Sequence, residues 1–227
     1  LEDAIGAARK DGVRALLLTG AGRGFCSGAD LTAGEGKGHP SGVDLLREKG
    51  LPLGYHAMLL REFPRPTIAA VNGAAVGAGF GLALACDIRI SAQSARYSAI
   101  FAKRALSPDY GCTQTLPAIV GMSRALELMY TGDIIDSAEA ERIGLVSRVV
   151  PDDELTEVAM ALAQKLASGP SIAHALTKKM AYTANERTFE DQIWMEAQAS
   201  TASGSSEDRK EGLKAFMERR EPKFQGR

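Results

Sequence analysis

The sequence predicts an α/β fold in which buried strands run through glycine-rich turns into helices, followed by a helical C-terminal region. The apolar, partly β-branched run 67–71 has the length of a buried strand, and the glycine-dense stretch 73–81 follows it. Residues 15–20 repeat this pattern and lead into a second turn of small residues at 22–29. From Asp152 onward the apolar residues recur only at helical spacing. We therefore expect a strand–helix core over residues 1–151 and a helical region over residues 152–227.

The elements follow from periodicity and from residues that favour helix ends. Asp136 and Glu139 form a capping-box pattern, and Gly144 ends the helix that it opens. Asp87 is expected to cap its helix or to bond the backbone. In chain order, the predicted elements are a helix over 1–8, a strand at 15–20, a short helix at 55–63, the strand 67–71, a helix at 79–85, strands from 87 and at 95–98, helices from 107 and 121, the helix 136–144 and a strand at 145–150.

The two glycine-rich turns expose backbone groups rather than side chains. N–H groups where a strand enters a helix lack an intrahelical partner and attract negatively charged oxygen. Gly77 and Gly79 let a ligand approach the main chain closely. We predict that the N–H groups of Ala29 and Ala78 form an oxyanion hole.

Composition excludes several classes of function. The chain has 227 residues and a formal net charge of −1, so no overall field favours nucleic acid or an anionic membrane. Its longest apolar run is too short to cross a membrane. Three cysteines without a disulfide or metal-ligand spacing are typical of a reducing compartment, and we expect a cytoplasmic protein. The sequence contains no metal-ligand cluster, dinucleotide fingerprint or nucleophile elbow.

Three motifs resemble the enoyl-CoA hydratase/isomerase (crotonase) superfamily, and the likeness extends over nearly the whole chain. They are Phe-Cys-Ser-Gly-Ala-Asp-Leu at 25–31, Ile-Ala-Ala-Val-Asn-Gly at 68–73 and Cys-Asp-Ile at 86–88. The resemblance implies a spiral of β-β-α units with a helical C-terminal trimerisation region, assembled as a homotrimer or a dimer of trimers. It implies an acyl-CoA thioester as ligand, with coenzyme A as part of the substrate and no separate cofactor or metal. It also implies a strand ahead of Leu1.

The resemblance points to Asp109 as the acid/base group. Family hydratases carry two glutamates at positions that Gly81 and Phe101 occupy here, and neither residue can bind a proton. Family isomerases carry an aspartate where Asp109 falls. Ser107 and Pro108 are a helix-start signal that places Asp109 in the first helical turn, where an acid is also favoured for its interaction with the helix dipole alone.

The surroundings of Asp109 are expected to be apolar, given Phe101, Ala105 and Leu106. Burial would raise its pKa and a helix N-terminus would lower it, which leaves the direction open. The resemblance further implies substrate contacts from residues of the two turns, of the Asp109 segment and of the last helix. These are Arg23, Cys26, Asp30, Leu31, Gly77, Phe101, Pro108, Phe216 and Arg219.

Several alternatives stay open on the sequence alone. The favoured activity is an enoyl-CoA isomerase that carries out a double-bond or ring shift with Asp109 as proton shuttle. A hydratase is the alternative among enzymes, and a protein that binds acyl-CoA or RNA without turnover is the alternative outside them. The glycine-rich stretch 32–42 is either a lid over the acyl pocket or a surface loop. The apolar stripes of the C-terminal helices pack either between subunits or within one chain.

Overall fold

The computed structural model describes residues 1–28 and 48–227. Its helices alternate with short strands as far as residue 150, and only helical elements follow. The helices are α1 (Glu2–Lys10), α2 (Tyr55–Arg61), α3 (Ala78–Ala85), α4 (Cys112–Val120), α5 (Met122–Thr131), α6 (Ser137–Arg142), α7 (Leu155–Ala167), α8 (Ser171–Thr183), α9 (Phe189–Gly204) and α10 (Glu207–Glu218), with 3₁₀ turns at Ile100–Arg104 and Ala184–Glu186.

The strands form two sheets, and the chain passes between these sheets several times. They are β1 (Leu16–Thr19), β2 (Thr67–Val71), β3 (Ala74–Val76), β4 (Ile88–Ala92), β5 (Arg96–Ser98), β6 (Ile135–Asp136) and β7 (Arg148–Val150). One sheet has the order β1-β2-β4-β7 with all neighbours parallel, and the other has the order β3-β5-β6. The pairs β2–β3 and β4–β5 each give one strand to each sheet. This is the predicted spiral of β-β-α units.

The larger sheet is covered on both faces. Every residue of β2 is buried, as expected of a strand between two apolar layers. Because successive side chains point to opposite faces, Ile68 and Ala70 pack against α7, whereas Ala69 and Val71 belong to the main core with α3. Helix α3 therefore lies in the interior of the core.

Two contacts tie the C-terminal helices to this core. Arg14, just ahead of β1, donates to Ser171 Oγ at 2.9 Å and to the carbonyl oxygens of Gly169 and Phe224 at 2.6 and 3.1 Å. Asp87, between α3 and β4, accepts a hydrogen bond from the Tyr182 hydroxyl of α8. It also accepts one from the Thr67 N–H at 2.8 Å and so bonds the backbone, as the sequence suggested. No helix within residues 1–28 and 48–227 is long and apolar enough to cross a membrane.

Two sequence predictions need correction. The helix expected from Ser107 begins only at Cys112, because Tyr110 and Gly111 adopt left-handed backbone with φ of 51° and 75°. Asp109 therefore precedes the helix instead of lying in its first turn. The strand predicted from Leu145 begins at Arg148, since Leu145 and its neighbour first complete the C-terminal turn of α6.

Candidate active site

The two glycine-rich turns are in direct backbone contact. The Cys26 N–H donates to the Ala74 carbonyl at 2.9 Å, and the Val76 N–H donates to the Cys26 carbonyl at 3.0 Å. The chain after Phe25 therefore runs alongside β3 and reaches the start of α3. A Cβ at Gly79 would lie 2.0 Å from the Cys26 carbonyl oxygen, so only glycine permits this approach.

Ala78 is the first residue of α3, and its N–H takes no part in the helical hydrogen bonds. Gly77 precedes it with φ 57° and ψ −122°, a conformation open to glycine. No acceptor for the Ala78 N–H occurs among the backbone hydrogen bonds of the described residues. A Cβ at Gly28 would lie 3.5 Å from the Ala78 nitrogen, so the turn from Phe25 to Gly28 ends beside this N–H. The oxyanion-hole role of this N–H stays a prediction, with which the lack of a backbone acceptor among the described residues is consistent.

Other predicted site residues lie outside residues 1–28 and 48–227. They are Ala29, Asp30 and Leu31, together with the loop 32–42. The shared oxyanion hole of Ala29 and Ala78 consequently stays a prediction, as does the choice between a lid and a surface loop.

The two positions that the resemblance matches to the glutamates of family hydratases, Gly81 and Phe101, are closed by packing. A Cβ at Gly81 would lie 2.4 Å from Tyr110 Cβ and 3.3 Å from Cys112 Sγ, so position 81 has no room for a longer side chain. Phe101 is 6% exposed and belongs to the main apolar core. A water held by two carboxylates has no counterpart at these positions.

Asp109 is half-buried, and its Oδ1 is shielded from solvent without a hydrogen-bond partner among the described residues. Burial raises the pKa of this carboxyl, and its own backbone N–H opposes the shift. Asp109 lies three residues before α4, outside its first turn. The expectation for the surroundings was partly wrong: Phe101 is buried, whereas Ala105 is exposed and Leu106 is 56% exposed.

Tyr110 follows Asp109 and was not singled out from the sequence, although it packs beside the candidate site. A Cβ at Gly54, the N-cap of α2, would lie 2.8 Å from Tyr110 Cα, so glycines of α2 and α3 both make room for this residue. Burial and the nearby Asp109 and Cys26 groups raise the pKa of the Tyr110 phenol. Gly54 and Gly81 were the sequence signals for a close contact with Tyr110. The conformation of Tyr110 itself was not expected, because left-handed backbone is uncommon for tyrosine.

Tyr110 also forms one wall of a cavity between α2 and α4, which we call the α2–α4 cavity. It measures about 390 Å³. Its lining residues are Pro52, Leu53, Gly54, Ala57, Met58, Arg61, Glu62, Ala85, Tyr110, Gly111, Gln114 and Thr115.

The remaining predicted residues surround the turns or lie on the last helix. Arg23 is exposed next to the Cys26 turn, and Pro108 is half-buried beside Asp109. Phe216, on α10, is 82% exposed, and Arg219 is the left-handed C-cap of that helix. The described part of the chain contains no cluster of three or more potential metal ligands.

Among the described residues, packing contacts connect the segment that begins with the Ala78 N–H to the segment that carries the Asp109 carboxyl. Ala78 begins α3, Gly81 lies one turn later, and Tyr110 links Gly81 to Asp109. A backbone N–H stabilises an enolate oxygen, and a carboxylate of raised pKa exchanges protons with carbon acids. These are the two elements that proton transfer next to a thioester carbonyl requires.

Comparisons with known proteins agree with this geometry. The family model described as "Enoyl-CoA hydratase/isomerase" matches residues 1–227. A "probable enoyl-CoA hydratase" of Rhodobacter capsulatus is 42% identical over 94% of this chain and 82% of its own length. The "1,2-epoxyphenylacetyl-CoA isomerase" of Escherichia coli is 38% identical over 96% of this chain and 84% of its own length. The crystal structure of an enoyl-CoA hydratase from Bacillus anthracis superposes with a TM-score of 0.90 at 37% identity, covering 100% of this chain and 87% of that one.

Proposed function

The chain belongs to the enoyl-CoA hydratase/isomerase family of enzymes, and on that premise we propose that it is an acyl-CoA isomerase that uses Asp109 as its proton carrier. The observation that carries the proposal is the contact between Gly81 and Tyr110. A second catalytic carboxylate at position 81 would need the space that Tyr110 Cβ fills, 2.4 Å from where a Cβ at Gly81 would be. With Phe101 buried as well, neither of these two positions offers an acid, which supports Asp109 as the acid/base group.

The proposed reaction moves one proton between two carbons. The Asp109 carboxylate takes a proton from the α carbon of a 3-enoyl thioester, and the electron pair of that C–H bond delocalises onto the thioester oxygen as an enolate. The N–H groups of Ala78 and Ala29 stabilise this oxygen. The protonated Asp109 then returns the proton to the γ carbon as the double bond moves from the β,γ to the α,β position. No water enters the product, and a second acid is not needed.

The raised pKa of Asp109 suits this role. A carboxyl group that is harder to ionise is a stronger base once ionised, and a general base works best when its pKa approaches the working pH. The isomerase named among the relatives acts on a ring-bearing thioester. The proposal therefore includes a ring shift as well as a double-bond shift, both through one carboxylate.

The proposal extends to assembly and location. Phe189, Trp194 and Phe216 are 83%, 65% and 82% exposed on α9 and α10. Such apolar surface suits contact between subunits, and we propose a homotrimer or a dimer of trimers. Phe216 and Arg219 would then contact the nucleotide of the acyl-CoA, and the cysteine content supports a cytoplasmic location.

Product analysis over a panel of 2-enoyl- and 3-enoyl-CoA thioesters in D₂O tests the activity. Isomerisation adds deuterium at the α or γ carbon, whereas hydration adds the mass of water. Asp109→Asn is expected to keep thioester binding and to lose about 10²–10⁴-fold in rate, as for a lost general base. Asp133→Asn, at a surface carboxylate paired with Lys103, is the matched control and should keep the full rate.

Two results would contradict the proposal. The first is rapid water addition to crotonyl-CoA by the wild type, which would make the protein a hydratase. The second is near-complete activity of Asp109→Asn. Binding of thioesters without turnover of any panel member would favour the non-catalytic alternative.

A further inference from the structure

Tyr110 occupies a position that the proposed mechanism does not use. It adopts φ 51°, a conformation that costs a non-glycine residue free energy and persists only where surrounding contacts hold it. Here the holding contacts come from Gly81 in α3 and from Gly54 at the N-cap of α2. Both glycines leave room for a tyrosine in a strained conformation. The side chain is thus fixed between two helices and directly follows Asp109.

The tyrosine faces a space of suitable size. Its side chain lines the α2–α4 cavity of about 390 Å³, within the range of small-molecule sites. Leu53, Ala57 and Met58 form an apolar part of its wall. The polar side chains of the lining, besides Tyr110, are Arg61, Glu62, Gln114 and Thr115. The cavity therefore suits an apolar group larger than a methyl.

We propose that Tyr110 is a specificity-determining residue. Its ring forms the wall between the Asp109 region and the α2–α4 cavity. The distal part of an apolar acyl group packs against this ring. The substrate class is then an acyl-CoA thioester bearing a ring or a medium-length chain, whose reacting carbons remain at Asp109. This inference rests on the proposed function in that it needs an acyl thioester at Asp109.

The proposal sets this order of groups. Asp109 and Tyr110 are consecutive in the chain, so we place the α and γ carbons of the acyl chain at the carboxylate and its next atoms at the tyrosine. An acetyl group ends before it reaches that position. Tyr110 should consequently act on long and ring-bearing acyl groups and leave the shortest one unaffected.

Binding of saturated acyl-CoA thioesters tests the inference without any reaction. Dissociation constants of acetyl-CoA, octanoyl-CoA and phenylacetyl-CoA are measured by calorimetry for the wild type and for Tyr110→Ala, Tyr110→Leu and Tyr110→Phe. Tyr110→Ala is expected to weaken octanoyl-CoA and phenylacetyl-CoA about 3–10-fold, as for a lost aromatic contact. Acetyl-CoA should stay within about twofold, and Tyr110→Phe should resemble the wild type because the packing surface is retained.

Tyr130→Ala is the matched control, because this tyrosine is 73% exposed and does not line the α2–α4 cavity. It should leave all three constants unchanged. If Tyr110→Ala does not fold, as judged by its thermal transition, Tyr110→Leu decides. Leucine keeps an apolar volume, so phenylacetyl-CoA should weaken more than octanoyl-CoA.

Equal weakening of all three thioesters by the Tyr110 variants, or no weakening of any, would overturn the inference. With reactive enoyl thioesters, the expected signature is a raised KM for ring-bearing acyl groups with a smaller change in kcat. The two proposals fail separately. Full activity of Asp109→Asn removes the isomerase mechanism and leaves the binding pattern intact, whereas uniform binding removes the role of Tyr110 and leaves the mechanism intact.

Discussion

The Lys178 ammonium lies 3.0 Å from Asp87 Oδ2, and the two side chains are only 10% and 19% exposed. Asp87 stands between α3 and β4, whereas Lys178 belongs to α8, so the pair joins the C-terminal helices to the core. Lys178 Nζ also donates to the carbonyl oxygens of Leu60 and Arg65 at 3.3 Å. Burial lowers the pKa of Lys178, and the Asp87 carboxylate opposes that shift.

Removing one member of this pair should destabilise the protein strongly. Lys178→Met leaves the Asp87 carboxylate largely buried without its cation, which typically costs about 3–5 kcal/mol. Lys179→Met, at the exposed neighbouring position, is the control and should change the free energy of unfolding by less than about 0.5 kcal/mol. Urea unfolding measures both. Equal midpoints for the two variants would show that the ion pair does not hold α8 in place.

A methyl group at position 81 should be costly. Gly81→Ala places a Cβ 2.4 Å from Tyr110 Cβ, and overpacking of this kind typically destabilises by about 1–3 kcal/mol. Gly6→Ala is the control, because nothing lies within 4 Å of its Cβ inside α1, and it should stabilise by about 0.5–1 kcal/mol. Adding Tyr110→Gly to Gly81→Ala should recover part of the loss. Purely additive effects would show that the two residues do not compete for space.

Removing the N–H of residue 78 tests the oxyanion hole. Ala78 is the first residue of α3, a position where proline is tolerated and where the N–H is not needed by the helix. Ala78→Pro is therefore expected to retain the far-ultraviolet circular dichroism and to lose about 10²–10³-fold in kcat, as for a lost oxyanion donor. Ala78→Gly keeps the N–H and should keep most of the rate. Substantial turnover by a folded proline variant would rule out Ala78 as a donor.

The raised pKa of Asp109 makes both activity and stability depend on pH. The base must be ionised, so kcat/KM should fall with decreasing pH through a pKa above the usual 3.8. Since the folded state holds this proton more tightly than the unfolded state, Asp109 lowers stability as pH rises from about 3.8 through the folded pKa. Asp109→Asn should remove that loss and raise the thermal midpoint at neutral pH. A lower midpoint for the variant would contradict the burial of this carboxyl.

The exposed aromatic residues of α9 and α10 predict assembly. Light scattering at micromolar concentration should give the mass of three or six chains. Trp194→Glu places a charge on this apolar surface and should shift the mass towards that of one chain, because burying an unpaired charge is costly. A wild type that is uniformly monomeric would refute the subunit contacts.

Local signals in the sequence were sufficient for most elements of the core. The apolar run 67–71 and the glycines after it predicted β2 and α3, because strand length and turn chemistry are local properties. The start of α4 was misplaced, since Pro108 gave a helix-start signal that the left-handed backbone of Tyr110 overrides. No local signal paired Asp87 with Lys178, 91 positions apart. The role of Tyr110 also depended on the three-dimensional approach of Gly54 and Gly81.

The contact between Gly79 and the Cys26 carbonyl has an evolutionary consequence. Because the two backbones touch without an intervening side chain, any mutation that adds a Cβ at position 79 separates the two turns. Such a mutation disturbs the core and also displaces the proposed Ala78 donor. If Ala78 has that role, selection for a foldable chain and selection for turnover remove the same variants. New acyl specificities in descendants of this chain are therefore expected to arise at the cavity walls, while this crossing stays unchanged.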